Sequence, residues 1–350
     1  MTSILKKIIL RLLAALTLSL VFGGAYSWHL LNSPTGLSQK PALISVVPGM
    51  GLSSIAKKLA KSGIIDNGLV FSSYVRLLNK GGRIKAGEYQ FNVGQNELEV
   101  LDQLITGQVV QHEFTFVEGW DFAQTLSHLN KNPAIKHTLG QELDDRDQWF
   151  EHVMRAVGYA GQNPEGLFYP ETYYFTRGMT DVHLLQRAYL QMQKVLREEW
   201  ELRAPELPYD SPYEALIMAS MVEKETGLAS ERERIAGVFV RRLRKGMRLQ
   251  TDPTVIYGLG KQYSGNLTRK HLKAYTPYNT YRIKAMPPTP IANSGRAAIH
   301  AALHPLAGNS LYFVARGDGG HYFSATFDEH KKAVKKYQWN RADNYHSSPQ

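Results

Sequence analysis

The chain begins with a long apolar segment that carries positive charge on one flank only. Lys6, Lys7 and Arg11 precede a run over residues 12–28 that contains no formal charge. A helix of about 20 apolar residues spans the roughly 30 Å hydrocarbon core of a bilayer. Because the basic residues lie on the N-terminal side, the pattern predicts a single-pass anchor with a cytoplasmic N-terminus and an exported remainder. A cleaved signal peptide is the alternative, since "GGAYSW" places small residues near the end of the run.

Two later segments share one pattern: a short apolar strand, a glycine turn, a cap position and an amphipathic helix. They are "VVPGMGLSSIAKKL" (46–59) and "FVEGWDFAQTLSHL" (116–129), with turns at Gly49 and Gly119. Two copies do not establish a repeat architecture. A recurring strand–turn–helix unit accounts for both.

Helical patterns dominate the rest of the chain. A strand is predicted over 88–91, followed by a helix from a cap at Asn96 to Gly107. Apolar residues at helical spacing predict a core-facing helix over 181–203, and a further helix over 212–223 begins with proline.

Start signals and a hairpin complete the pattern. "SERE" at 230–233 has the form of a capping box, and Asp252 followed by Pro253 has the form of an N-cap with proline at the first helical position. Glycines at 317–320 predict a hairpin, and a basic helix follows it. Strands and helices in this order indicate the α+β fold class.

Composition excludes several kinds of site. The 350 residues include no cysteine, so disulfides, thiolate metal sites and cysteine nucleophiles are impossible. The net charge of +10 favours anionic partners, but no nucleic-acid motif is present, and no nucleic-acid partner is expected. His300 and His304 have metal-ligand spacing without an acidic neighbour in the sequence. They are interpreted as a structural pair, and no metal or other cofactor is expected.

Two glutamates follow an apolar run and are the main candidates for chemistry. Glu223 and Glu225 come directly after residues 216–222, so at least one carboxylate should lie at the core boundary. A carboxylate in that position has a raised pKa and can act as a general acid at neutral pH. An exposed Glu-Lys-Glu patch at a helix end is the alternative.

Uncharged hydrogen-bonding side chains follow these glutamates. They are Gln250, Thr251, Asp252, Tyr257 and the "YNTY" segment of Tyr278, Asn279, Thr280 and Tyr281. A cleft rich in Tyr, Asn, Gln and Thr suits a sugar, which needs aromatic faces and many neutral donors and acceptors. The residues therefore predict a site that cleaves glycan.

Several segments resemble the endolytic murein transglycosylases of the MltG/YceG family. The resemblance is carried by "SMVEKETG", "SERERIAGVFVRRLRKGMRLQTDPTVIYGLG", "YNTYRIKAMPPTPIANSG", "YFVARGDGGHYFSATFDEH" and "NPEGLFYPETYYF". It extends over residues 44–337. Ala285 and Met286 stand where the family usually has Gly-Leu, and Ser294 replaces a usual proline, which puts only local loop shape in doubt.

The resemblance implies a bacterial inner-membrane enzyme with a periplasmic catalytic domain that cuts nascent peptidoglycan strands internally. The expected organisation is a cytoplasmic tip and anchor (1–30), a tether (31–43), a LysM-like module (44–112), a mixed α/β catalytic domain (113–340) and a tail (341–350). Expected partners are peptidoglycan glycan strands, the inner membrane and peptidoglycan synthases (penicillin-binding proteins).

The resemblance also implies roles for individual residues. Glu223, not Glu225, is expected to be catalytic. Positions matching the family's groove motifs are Gln250, Thr251, Asp252, Tyr278, Asn279, Thr280 and Asn293. Glu223 would protonate the bond between N-acetylmuramic acid and N-acetylglucosamine and then deprotonate the muramyl 6-hydroxyl, so that a 1,6-anhydro ring closes.

Two other functions stay open. One is a muramidase that uses water with Asp252 as base or nucleophile, although a helix-capping role suits Asp252 better. The other is a non-catalytic scaffold that binds peptidoglycan.

Overall fold

The computed structural model describes residues 2–34, 36–37, 40–140 and 142–339. These form two compact units. The first comprises residues through His112 together with Tyr174–Gly178, and the second comprises Glu113–Tyr173 and the residues from Met179 onward. The predicted tail over 341–350 and positions 35, 38 and 39 of the predicted tether lie outside the described residues.

The first unit contains a long helix and a small α/β core. Its elements are α1 (Thr2–Asn32), β1 (Ala42–Val46), α2 (Leu52–Lys61), α3 (Gly68–Leu77), β2 (Gly87–Phe91) and α4 (Glu97–Thr106). Within the described residues α1 alone is long and apolar enough to cross a membrane, over Leu5–Asn32, and its apolar side chains from Leu5 to Trp28 are exposed. This is consistent with the predicted single-pass anchor.

The core of the first unit lies between its two strands and helices α2 to α4. β1 and β2 pair antiparallel, with Ala42 opposite Phe91, and side chains such as Phe71 and Tyr89 are fully buried. The predicted cap at Asn96 is confirmed: its side chain accepts from the backbone N–H of Glu99 in a capping box. The elements β1, α2, α3 and β2 thus follow one another in a strand–helix–helix–strand order, and the LysM-like assignment stays a prediction.

Helices form most of the second unit. The elements that lie wholly or partly in it are β3 (His112–Thr115), α5 (Phe122–Leu129), α6 (Arg146–Val157), β4 (Thr172–Phe175), α7 (Asp181–Glu201), α8 (Pro212–Glu225), α9 (Arg232–Arg244), α10 (Asp252–Leu259), α11 (Arg269–Lys273), α12 (Arg296–Leu303), β5 (Tyr312–Ala315), β6 (His321–Ser324) and α13 (Phe327–Val334). β3 pairs with β4, and β5 with β6, so that the predicted mixed α/β content and C-terminal hairpin are confirmed.

The helix α8 is the centre of this unit. It packs against α7, α9, α10 and α12, and every side chain from Ala215 to Val222 is buried. A helix that is covered on all sides has no polar face, which explains the continuous apolar run. The run ends where α8 reaches the surface, and there the two glutamates begin.

The predicted capping box of α9 is wrong. Ser230 lies in a short 3-10 turn, α9 begins at Arg232, and no side chain caps it. The carboxylate of Glu231 instead accepts from the backbone N–H of His321 and bonds to its imidazole at 2.7 Å. Glu231 therefore anchors the β5–β6 hairpin to the start of α9.

The predicted N-cap of α10 is also wrong, by one residue. α10 begins at Asp252 itself, Thr251 occupies the N-cap position, and neither side chain caps the helix. Asp252 Oδ1 accepts from the hydroxyl of Tyr281 at 2.6 Å. Both polar side chains have partners from distant segments, which local sequence cannot show.

Candidate active site

Glu223 lies in the last turn of α8 with its side chain only 6% exposed. Its Oε2 accepts from the backbone N–H of Gly295 at 3.0 Å, and its Oε1 lies 3.7 Å from a guanidinium nitrogen of Arg232. Gly295 is the N-cap residue of α12, so the carboxylate sits at the positive end of that helix. The backbone N–H of Gly295 and the guanidinium of Arg232 thus fix the orientation of the Glu223 carboxylate.

The surroundings of Glu223 favour its protonated form. Burial raises the pKa of Glu223, and the nearby charge of Glu118 raises it further. The Gly295 hydrogen bond, Arg232 and Lys224 act in the opposite direction without cancelling the effect. A glutamate with a raised pKa can donate a proton near neutral pH.

A loop near the start of the second unit, over residues 118–120, forms the wall of the cleft opposite Glu223. Residues Glu118, Gly119 and Trp120 line this cleft of about 280 Å³ together with residues 223–227. The loop is held in place because Gly119 N–H donates to the carbonyl of Asn293 and Asn293 N–H donates to that of Trp120, at 2.9 and 2.8 Å. Trp120 provides an aromatic surface suited to stacking against a sugar ring.

Glu118 is a second carboxylate at this cleft that the sequence did not single out. A methyl group added to Gly295 would lie 2.6 Å from Cδ of Glu118 and overlap its Oε1. Glu118 therefore rests directly against the residue whose N–H binds Glu223. Its only sequence signal was its place beside the Gly119 turn of the repeated pattern.

Glu225 lines this cleft and also a second, larger one. Its carboxylate accepts from the hydroxyl of Thr251, and burial raises the pKa of Glu225 to about 7. The cleft measures about 800 Å³ and is shared with Lys224, Gln250, Thr251, Asp252 and Tyr281 among others. Because Lys224 and Glu225 line both clefts, the two openings meet at the end of α8.

Three of the predicted groove residues thus lie together along the larger cleft. Gln250, Thr251 and Asp252 follow one another there, and Gln250 has a backbone φ of 54°. A left-handed conformation is unfavourable for a residue with a side chain and persists only where the surrounding structure imposes it. Here Gln250 N–H donates to the carbonyl of Thr280 at 3.1 Å, and Arg242 contacts its side-chain oxygen.

Other predicted groove residues are buried away from both clefts. Asn279, Thr280 and Asn293 are at most 1% exposed. The side-chain amide of Asn279 donates to the carbonyls of three residues in the preceding turn, and Thr280 Oγ1 accepts from Thr251 N–H. In this structure they shape the loops that carry the clefts, and direct substrate contact by them stays a prediction.

Tyr257 and Tyr278 are half-buried and belong to a separate group around Glu165. Their rings lie 4.9 Å apart, Tyr278 bonds to the hydroxyl of Thr289, and Tyr257 donates to Glu165 Oε2 at 2.9 Å. Glu165 is fully buried, accepts a backbone N–H from Phe122 and lies 3.8 Å from Arg146. Burial, followed by the nearby Asp121, raises the pKa of Glu165 from 4.5 to about 8.

We expect Glu165 to make folding depend on pH. A carboxyl whose folded pKa exceeds its unfolded pKa contributes stability that is fully present below the unfolded value and lost as pH rises through the folded value. Stability should therefore fall between pH 4.5 and pH 8, by on the order of 1 kcal/mol for each pH unit crossed. Urea unfolding of wild type and Glu165→Gln at pH 5 and pH 8 measures this difference.

The glutamine variant should show a smaller fall in stability than the wild type over this range. Glu142→Gln, at an exposed position, is the matched control and should behave as wild type. An identical pH dependence in wild type and Glu165→Gln would show that Glu165 stays ionised in the folded protein.

Comparisons with known proteins agree on one family. Residues 44–336 match the model described as the YceG-like family. The chain is 32% identical over 332 residues to the endolytic murein transglycosylase of Bacillus subtilis (strain 168), with 91% of each chain covered. It is 26% identical to the endolytic murein transglycosylase of Streptococcus pneumoniae (strain D39 / NCTC 7466), of which it covers 63%. A crystal structure of a putative yceG-like protein from Listeria monocytogenes is 30% identical, with a TM-score of 0.54, 84% of this chain and 99% of that chain covered.

Proposed function

Because the chain belongs to the YceG-like family, we propose that it is an endolytic murein transglycosylase. It would cleave the bond between N-acetylmuramic acid and N-acetylglucosamine within nascent glycan strands and leave 1,6-anhydro-muramic acid ends. Such cleavage would terminate strand elongation. The observation that carries the proposal is Glu223, a carboxyl 6% exposed at a cleft, with a pKa raised by burial.

The reaction needs one protein carboxyl to act twice. Protonated Glu223 donates its proton to the glycosidic oxygen as the bond from C1 of the muramyl residue breaks. The resulting carboxylate then takes the proton of the muramyl 6-hydroxyl while its oxygen bonds to C1. The proton returns to Glu223, no water is consumed, and the nucleophile comes from the substrate.

The residues around Glu223 support each stage of this cycle. Burial and Glu118 favour the acid form needed first, while Gly295 N–H and Arg232 stabilise the carboxylate formed next. A residue that exchanges a proton in both directions works best when its two forms have similar free energies.

The two clefts that meet at Lys224 and Glu225 support cleavage within a strand, because a long polymer can lie across an open surface. We assign Trp120 to sugar stacking at the smaller cleft and Gln250, Thr251 and Asp252 to binding along the larger one. Tyr257, Tyr278, Asn279, Thr280 and Asn293 would support these clefts from behind.

The remaining assignments concern the cellular setting. The proposal includes a single-pass inner-membrane anchor formed by α1, with a cytoplasmic N-terminus and a periplasmic catalytic domain. It also includes glycan binding by the LysM-like module and association with peptidoglycan synthases.

Product analysis tests the reaction. Uncrosslinked glycan strands are digested by the full-length chain in ¹⁸O-labelled water, and the products are identified by mass. We expect anhydro ends, which are lighter than reducing ends by one water and carry no label. New reducing ends in place of anhydro ends, beyond those in an incubation without enzyme, would refute the transglycosylase reaction.

The same experiment decides the alternative reaction. A muramidase is favoured by one observation, the second carboxylate of Glu118 on the cleft of Glu223. Enzymes that hydrolyse glycosidic bonds with water generally use two carboxyl groups. Asp252 is less suited to that role, because it lies on the larger cleft with Glu225 and accepts from Tyr281.

A further inference from the structure

A glutamate and two histidines lie together in the second unit, outside both clefts. Glu199 lies near the end of α7, His300 lies in the last turn of α12, and His304 follows α12 as its C-cap residue. One donor atom from each of the three lies within 4.8 Å of the other two. The acidic neighbour that is missing from the sequence around the two histidines comes from another helix, α7.

The three side chains contact one another directly. His300 Nδ1 lies 2.9 Å from Glu199 Oε2, and the two imidazole rings stack with centroids 4.2 Å apart. The other oxygen of Glu199 accepts from Arg296 at 2.8 Å, which fixes the plane of the carboxylate. Hydrogen bonds of this kind to the outer atoms of a ligand are what orient it toward a metal.

One donor atom of the cluster has no partner. His304 Nε2 is buried, and it neither accepts nor donates a hydrogen bond within the described residues. Buried polar atoms are nearly always paired, and an ion is one of the usual partners when the protein supplies none.

The chemical character of the cluster selects the kind of ion. Two imidazoles and a carboxylate form a ligand set typical of zinc, whereas magnesium and calcium prefer oxygen atoms alone. Metal-binding imidazoles must be unprotonated.

We propose that Glu199, His300 and His304 bind a zinc ion that joins α7 to the C-terminal end of α12. Zinc bonds of about 2.0–2.2 Å around one ion require small shifts of the three side chains from their present positions. The half-exposed side chain of His300 can make this movement, and its exposure leaves a path for the ion and for a water in the fourth position.

Such an ion would stabilise one particular helix. α12 packs against α7, α8 and α9, and its N-cap residue Gly295 donates to Glu223. The zinc would therefore fasten the far end of the helix whose near end holds the proposed catalytic carboxyl. It takes no part in the proposed reaction, and its binding can be measured without any activity assay.

Zinc binding to the full-length chain is the test. The protein carries a histidine-free affinity tag, is stripped with a chelator in detergent and is titrated with Zn²⁺ against a chromophoric chelator. We expect one zinc per chain in the wild type. His300→Ala should weaken the affinity at least about tenfold, because losing a ligand harms binding no less than losing a residue that orients one.

Matched controls separate this site from other histidines. His183→Ala changes an exposed histidine of α7 and should bind zinc as wild type does. Zn²⁺ should raise the Tm of wild type and of His183→Ala but not of His300→Ala, and Mg²⁺ should raise none of them. Wild-type affinity in His300→Ala, or no binding to the wild type, would overturn the proposal.

Discussion

Replacing Glu223 with glutamine is expected to abolish strand cleavage while leaving the protein folded. Glutamine matches glutamate in size and can still accept from Gly295 N–H, but it cannot donate or take up the proton on which both stages depend. General acid–base catalysis contributes about 10²–10⁴-fold to a rate. A loss of about 10³-fold in turnover of uncrosslinked glycan, with unchanged Tm, is the expected measurement.

Two further variants make the result specific. Glu201→Gln, at an exposed position on α7, controls for a change of charge and should cleave normally. Glu225→Gln tests the neighbouring carboxyl, and we expect it to lose far less activity than Glu223→Gln because the carboxylate of Glu225 is already bonded to the hydroxyl of Thr251. Full activity in Glu223→Gln together with loss in Glu225→Gln would transfer the catalytic role to Glu225.

The second large effect on turnover is expected from Gly295→Ala, which adds a single methyl group. Its φ of −72° is compatible with alanine, so the backbone need not change. The new methyl group would overlap the end of the Glu118 side chain, which is exposed and can swing aside. We expect stability to fall by no more than about 1 kcal/mol and turnover to fall by about 10- to 100-fold, within the range for a misplaced catalytic group.

The pH profile of kcat/KM shows whether displacement of Glu118 causes the loss of turnover in Gly295→Ala. Removing a like charge lowers the pKa of Glu223, so the acid form disappears at lower pH and the alkaline limb of kcat/KM should move to lower pH. Glu118→Gln should move this limb in the same direction, and combining it with Gly295→Ala should add little more. If Gly295→Ala lowered activity without moving the limb, the effect would come from the backbone donor and not from Glu118.

Local patterns predicted the features of this protein that depend on neighbours in the chain. The apolar run before Glu223 indicated a buried helix with a carboxyl at its end, and α8 has that form. The cap at Asn96 and the hairpin strands β5 and β6 follow from residues within a few positions of one another.

Features that depend on distant segments were not predictable in the same way. Glu118 reaches Glu223 only because Asn293 holds its loop in place, and Glu199 reaches His300 only because α7 packs against α12. Thr251 and Ser230 have the residue types of helix caps. Thr251 binds Glu225 instead of capping α10, so a tertiary contact overrides its local preference, and Ser230 lies in a 3-10 turn before α9.

Glu225 accepts a hydrogen bond from the hydroxyl of Thr251, and burial raises the pKa of Glu225 to about 7. Because this value lies near neutrality, the charge of the larger cleft changes with pH. In a mildly acidic medium Glu225 is neutral, and an anionic polymer entering the cleft meets less repulsion. In a mildly alkaline medium the same wall gains a negative charge beside Asp252. We therefore expect the larger cleft to bind an anionic polymer more readily at lower pH.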